Sequence, residues 1–292
     1  MEIKKVGVLG CGLMGSGIAQ TAAQAGFETV VVEVEQKFLE KGMAGIEKSL
    51  GRFVEKGKMT AADRDAVQGR LKATTKLADL ADCDIVIEAI VENAQVKKET
   101  YAAIDTIVKK DAIFASNTSS LTITELSMAT ARPKQFVGLH FFNPVPMMKL
   151  VEVVRTILTS DDAFNASFAF AKKLGKDPVA CRDNSGFIVN RLLVPYLLDA
   201  IRAFEEGVGS VEDIDKAMML GCGHPMGPLT LLDFVGLDTT YFITHVMFDE
   251  YREKRFASPA LLRKMVLAGR FGRKSGAGFY DYSGEKPVPF DR

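Results

Sequence analysis

The chain has no net charge to spend on a partner: among its 292 residues, Lys plus Arg number 37 and Asp plus Glu number 37. Without a surplus of positive charge it lacks a general means of displacing counterions from nucleic acid. Broad nucleic-acid binding is therefore not expected, although a local basic patch is compatible with this balance. Cysteine is sparse. Cys11, Cys83, Cys181 and Cys222 form no C-x-x-C pair, which argues against a disulfide framework or a zinc knuckle. Cys222-Gly223-His224 is read as a Gly-rich helix end in preference to half a metal site, and no metal is expected. Long hydrophobic runs are missing too. The longest uncharged segments, around 135–148 and 217–232, are broken by Gly and Pro, so no membrane association is expected. Met1 lies two residues from the first apolar run, and no leader is expected ahead of it. A reducing, cytoplasmic compartment is the expectation. Neither an internal repeat nor a low-complexity tract is visible.

What is present suits a soluble globule. With 47% apolar and 25% charged residues the chain can bury a full core. Its length points to two domains, since ~100–200 residues per domain is usual. Residues 1–184 alternate short β-branched runs with helical stretches. The runs are "KKVGVL", "TVVVEV", "DIVIEAI", "AIFAS", "QFVGLHF", "KLVEVV" and "PVACR". Apolar strands separated by helices predict a parallel sheet covered on both faces. Residues 35–58 and 60–70, the latter opened by the capping box Thr60-Ala-Ala-Asp63, predict a helical hairpin inserted after the second strand. Such an excursion serves either as a contact surface or simply as an amphipathic helix packed on the sheet. Over 185–292 the strand signal fades. Helical periodicity runs over 186–206 with a bend at Pro195, over 211–220 behind a Ser210–Asp213 cap, and over 228–250 and 258–269. This second part is rich in Leu, Met and Phe. It is expected to bury some of them against a second copy, with a compact monomeric core as the alternative.

The glycines Gly10, Gly12 and Gly15 follow the first strand immediately. "IKKVGVL" reads as a strand, Gly10-Cys-Gly12-Leu-Met-Gly15 as a turn, and "LMGSGIAQTAAQAG" as a helix ended by Gly26. A second strand finishes at Glu33. Together these match a dinucleotide-binding βαβ unit. Gly10 allows the tight turn, Gly12 lets a pyrophosphate sit against bare backbone, and Gly15 permits close helix–strand packing. Leu13 and Met14 open the helix whose N-terminal N–H groups face the phosphates. Glu33 is placed to accept the adenosine ribose hydroxyls, and its charge would repel a 2′-phosphate, so NAD is expected over NADP.

Transfer of a hydride from an alcohol also needs a base for the hydroxyl proton, and histidine is the usual choice near neutral pH. There are three candidates. His245 lies mid-helix and His224 in a turn before a helix, both more simply read as structural. His140 ends the strand "QFVGLH", at a carboxyl-terminal sheet edge, where open α/β sheets bind their ligands. Glu152 is an acid in the otherwise apolar strand "KLVEVV", a costly position unless paired. If strands 135–140 and 149–154 are neighbours, Glu152 accepts the His140 ring N–H; otherwise it faces water from an edge strand. "SNTSS" at 116–120 offers hydroxyl and amide donors, or is a generic helix-start turn.

The stretches "GCGLMGSGIAQ", "IVIEAIVEN", "ASNTSSLTITEL", "GLHFFNPVPMMKLVEVV", "GFIVNRLLVPY", "GHPMGPLTLLDFVGLD" and "GRKSGAGFYDY" resemble, in the same order, the 3-hydroxyacyl-CoA dehydrogenase family, and in particular its short, single-function bacterial members. The resemblance implies an N-terminal Rossmann-type, mostly parallel sheet with an inserted helical hairpin, plus a C-terminal all-α domain. It implies NAD as cofactor, a short-chain (S)-3-hydroxyacyl-CoA as substrate and a homodimer joined through the C-terminal domain. By the same resemblance His140 is the acid/base and Glu152 its partner, while Ser119 and Asn190 hold the substrate oxygen. Glu92, Lys97, Ser119, Asn143 and Lys274 line the cofactor. Ser49 and Lys56 on the hairpin touch coenzyme A, as do Ser119 and Asn143. Relatives commonly carry Asp where this chain has Glu33. The alternatives are a dehydrogenase of a small free hydroxy acid or sugar acid, and an NAD-binding structural protein.

Overall fold

A computed structural model describes residues 2–290, which form two compact units that divide between Phe187 and Ile188. In the first, β1 (Lys5–Leu9), α1 (Leu13–Gln24) and β2 (Glu28–Val32) follow one another as the glycine spacing predicts. The hairpin α2 (Gln36–Glu55) and α3 (Ala61–Gly69) comes next, and the Thr60–Asp63 capping box is formed at its second helix. Then come β3 (Leu71–Thr74), β4 (Ile85–Glu88), α4 (Ala94–Asp105), β5 (Ile113–Ser116) and α5 (Ile123–Ser127). The unit closes with β6 (Phe136–Phe141), β7 (Leu150–Arg155), α6 (Asp161–Lys173) and β8 (Asp177–Arg182).

These strands make one eight-stranded sheet in the order β3-β2-β1-β4-β5-β6-β7-β8. Side-chain alternation sorts its residues to two faces. Val6, Val8, Val31, Ile85, Ile87, Ile113 and Ala115 join one buried cluster with Ile18, Ala19 and Ala22 of α1. Val30, Val32, Val86, Phe114 and Phe136 join another with Tyr101 and Ile104 of α4. Both faces are therefore dry, which explains why the strands read as continuous apolar runs. The hairpin is amphipathic: Leu39, Ile46 and Leu50 bury one stripe of α2 in the first cluster.

The sheet is mostly parallel, as expected, with two features that the strand pattern does not announce. The strand β3 is not foreseen, because "LKAT" is short and lies at the sheet edge with its middle residues exposed. The pairing of β6 with β7 is antiparallel, whereas every other pairing in the sheet is parallel. The connection over 142–149 is too short to hold a crossover helix, so the chain must turn back beside itself. That reversal sets His140 opposite Glu152.

The second unit contains α7 (Val189–Glu205), with Pro195 inside it, and α8 (Val211–Cys222), capped by Ser210. Where periodicity predicts one helix over 228–250 there are two, α9 (Pro228–Val235) and α10 (Leu237–Tyr251). Gly236 separates them with φ of 103°, a backbone state that ends a helix and that glycine adopts readily. The helix α11 (Ala260–Leu267) is followed by a short 3-10 turn at Arg273–Ser275 and the two-residue strands β9 (Tyr280–Asp281) and β10 (Val288–Pro289). Leu197, Leu198, Ile201, Leu229, Leu232, Met247 and Phe279 form the core. Two buried carboxylates organise it. Asp215 accepts Leu229 N–H, and Asp233 accepts the N–H groups of Phe279 and Tyr280, at 2.7–2.8 Å.

Candidate active site

The glycine loop is shaped as its spacing demands. Gly10 has φ of 93°, and a Cβ on Gly15 would overlap the Gly10 carbonyl oxygen. At Gly12, by contrast, nothing stands within 4 Å of where a Cβ would be. No side chain caps α1, whose first turn begins at the exposed Leu13 and half-buried Met14. Bare backbone with open space beside it and an uncapped helix N-terminus is a fitting seat for a pyrophosphate. Glu33 follows β2 directly and folds back on this loop. Its Oε2 accepts Cys11 N–H and its Oε1 accepts Val34 N–H, both at 2.8 Å. Each carboxylate oxygen keeps a second lone pair for a ribose hydroxyl. Burial, and secondarily the Glu33 charge, push the Cys11 thiol up to about 11.

Four polar side chains share one face of the sheet. Register pairs Glu88 with Ser116 and Ser116 with Gly138, and the pleat carries the same face on to His140 and, across β7, to Glu152. His140 Nδ1 lies 2.6 Å from Glu152 Oε2. Glu152 is completely buried and His140 is 6% exposed. The imidazole is flanked by Phe142 and Phe187, with ring centroids 4.5 and 5.6 Å away. A carboxylate has no proton to offer, so Nδ1 carries the hydrogen and Nε2 keeps the free lone pair.

A second constellation gathers around Ser119. Glu92 Oε1 accepts the Ser119 N–H at 3.1 Å and the hydroxyl of Thr118. Lys97 stands between two acids, 2.5 Å from Glu88 Oε1 and 3.2 Å from Glu92 Oε2. Lys97 is only 1% exposed, so its ammonium is committed inside the protein. Asn143 is exposed on the 142–149 loop, which Lys176 pins from beneath by donating to the carbonyls of Val145 and Met148 at 2.5 and 2.8 Å. Burial, reinforced by Lys149, lowers the Lys176 pKa.

The remaining sequence-predicted positions are more scattered. Ser49 is half-buried on α2, and Lys56, the exposed C-cap of that helix, follows about two turns further along. Asn190 and Lys274 belong to the second unit. Asn190 lies in the first turn of α7, and Lys274 donates to Asp238 at 2.7 Å. His224 Nδ1 is 3.0 Å from the Tyr196 hydroxyl, and His245 packs against the Tyr241 ring at 4.4 Å. Among the described residues no group of His, Cys, Asp or Glu is placed to hold a metal, and no helix is long and apolar enough to cross a membrane.

Sequence reasoning misses Glu88 and Lys176, and it reads Asn117 only as an amide donor of "SNTSS". Glu88 was within reach, because an acid in the apolar run "DIVIEAI" carries the same desolvation signal as Glu152. Asn117 Oδ1 accepts Phe141 N–H at 2.9 Å, tying the serine-rich loop to the end of the His140 strand. Nothing in the sequence marks that contact, or the partners of Lys176.

Two family models match in succession: "3-hydroxyacyl-CoA dehydrogenase, NAD binding domain" over residues 5–184 and "3-hydroxyacyl-CoA dehydrogenase, C-terminal domain" over 186–282. A probable 3-hydroxybutyryl-CoA dehydrogenase of Deinococcus radiodurans is 53% identical, covering 95% of this chain and 100% of the relative. The human mitochondrial hydroxyacyl-coenzyme A dehydrogenase is 49% identical, covering 96% of this chain and 91% of that protein. Among solved structures, (S)-3-hydroxybutyryl-CoA dehydrogenase of Ralstonia eutropha superposes with a TM-score of 0.94 at 44% identity, covering 97% of this chain and all of that one.

Proposed function

Because the chain belongs to the 3-hydroxyacyl-CoA dehydrogenase family, with NAD as its cofactor, we propose that it oxidises (S)-3-hydroxybutyryl-CoA to the 3-ketoacyl-CoA and runs the reverse reduction of acetoacetyl-CoA. The observation that carries this reading is the His140–Glu152 contact of 2.6 Å at the carboxyl end of β6. NAD, when bound, supplies the acceptor for the hydride that leaves C3. His140 Nε2 takes the hydroxyl proton, and the imidazolium so formed keeps its Nδ1–H on Glu152, which holds the tautomer and offsets the new charge. In the reverse direction the same Nε2–H returns a proton to the carbonyl oxygen. Phe142 and Phe187 keep water off the ring, so the proton exchanges with substrate in preference to solvent.

Residues 1–184 serve in this reading as the NAD-binding domain and 185–292 as the substrate and dimerisation domain. The loop from Gly10 to Gly15, including Leu13 and Met14, holds the pyrophosphate, and Glu33 holds the adenosine ribose. Glu92, Ser119, Asn143 and Lys274 line the nicotinamide half, with Lys97 acting through Glu92 because its own ammonium is enclosed. Ser119 and Asn190 hold the substrate oxygen. Ser49, Lys56, Ser119 and Asn143 receive coenzyme A. Exposed Leu192, Val208, Leu220, Phe234 and Phe242 on the helical unit support a homodimer joined there. The sparse cysteines, spaced without any C-x-x-C pair, support a cytoplasmic location.

Oxidation of NADH on addition of acetoacetyl-CoA, with free acetoacetate alongside, tests the activity. Consumption with the thioester alone is the expected result. Equal rates with the free acid favour a small hydroxy-acid dehydrogenase, and no rate with either overturns the reading.

A further inference from the structure

Glu88 has no role in the chemistry above, yet it is a carboxylate of zero exposure at the carboxyl end of a central strand. Its Oε1 accepts Lys97 and Ile90 N–H at 2.5 and 2.8 Å, and its Oε2 accepts the Ser116 hydroxyl at 2.7 Å. If a single acid sufficed to hold Lys97, Glu92 would already provide it at 3.2 Å. Two carboxylates against one ammonium leave one negative charge in excess, fixed on the same sheet face as His140. Strand spacing and rise put the Glu88 and His140 backbones about 12 Å apart. Of the next charges along α4 and α5, Lys98 and Glu125 pair with each other at 2.9 Å and cancel, and Glu99 is exposed, where solvent screens it. The charge of the His140–Glu152 pair changes as the histidine gains and loses a proton, so the constant part of the field comes from the triad.

The oxidised and reduced dinucleotides share their phosphates and riboses. They differ at the nicotinamide, a cationic pyridinium when oxidised and a neutral dihydropyridine when reduced. The glycine loop and Glu33 therefore hold both forms alike. Resting on the reading that Glu92 and Ser119 line the nicotinamide half, we infer that Glu88, Lys97 and Glu92 form a selector whose excess negative charge favours the oxidised cofactor. Glu88 is the residue that prevents Lys97 from neutralising Glu92, and it acts from beneath the site without touching the cofactor.

Dissociation constants for NAD by calorimetry and for NADH by fluorescence, measured without substrate, test the selector. In Glu88→Gln the amide keeps an acceptor for Lys97 while the charge is lost. The constant for NAD is expected to rise about three- to tenfold, with that for NADH little changed. Glu92→Gln, at a side chain 29% exposed, is expected to shift the ratio the same way and decides the matter if Glu88→Gln does not fold. Glu125→Gln, in the exposed pair, is expected to leave the ratio alone. An unchanged ratio in the folded variants, or an equal weakening of both forms, overturns the inference. A wild-type protein that binds neither form overturns the site reading on which it rests.

Discussion

His140 and Glu152 face each other as a register pair of two antiparallel strands, and their 2.6 Å contact is made within one sheet. Neither side chain depends on a loop to find the other. The imidazole is thus oriented before any ligand arrives, and in the proposed reaction it needs little reorganisation to transfer a proton.

Replacing His140 with Ala is expected to lower turnover by about 10²–10⁴-fold, the usual contribution of a positioned proton carrier. NADH affinity should stay close to wild type, because the glycine loop and Glu33 lie elsewhere on the sheet. Glu152→Gln should lose less, since an amide oxygen still accepts Nδ1–H but brings no charge to offset the imidazolium. Steady-state NADH oxidation and an NADH fluorescence titration check both. A His140→Ala enzyme of near-normal turnover would sink the assignment.

The adenosine end gives a separate test. Glu33→Ala removes the carboxylate proposed to hold the ribose and frees Cys11 N–H, which Glu33 holds at 2.8 Å. The ratio of kcat/KM with NAD to that with NADP is expected to fall about tenfold, in keeping with losing a hydrogen bond to a charged group. An unchanged ratio shows that another group reads the ribose.

How much of this was legible in the sequence depended on the range of the interaction. The β1–α1–β2 unit is encoded locally by glycine spacing and a terminal acid, and it forms where expected. Glu152 is legible because an acid in an apolar strand demands a partner, but its pairing rested on an antiparallel turn that the strand alternation does not encode. Glu88 carries the same signal, but "DIVIEAI" also reads as a strand simply reaching its end. The break at Gly236 was hidden by apolar periodicity continuing on both sides of it. The contacts of Lys176 with Val145 and Met148 span 31 and 28 residues and leave no local trace.

The hairpin and the nucleotide loop share a contact that sequence does not reveal. A Cβ on Gly42 of α2 would overlap the Cys11 carbonyl oxygen and Sγ. Gly42→Ala must therefore push α2 off the loop, at a cost of about 1–3 kcal/mol, typical of overpacking. Thermal unfolding should show the loss, and NADH titration should show weakened binding as Cys11 is displaced. A variant of wild-type stability and affinity would mean that α2 is held elsewhere.

If the hairpin receives coenzyme A, the exposed Lys56 contributes by charge alone. Lys56→Ala is then expected to raise KM for acetoacetyl-CoA up to about fivefold with kcat unaltered, the modest size of an exposed ion pair. Added salt should shrink the difference between variant and wild type. A fall in kcat at constant KM would place the nucleotide elsewhere.

The thiols report on the same packing. Cys11, Cys83 and Cys181 are buried and Cys222 is exposed. Burial pushes the Cys83 thiol up to about 12 and that of Cys11 to about 11, so the reactive thiolate is scarce at both near neutral pH. An alkylating reagent applied to the native protein should label Cys222 rapidly and the other three only on unfolding, as peptide mass spectrometry can follow. Cys222→Ser should abolish the fast phase and leave turnover intact. Rapid labelling of Cys11 instead would show that α2 does not cover the glycine loop, and the Gly42 contact would fall with it.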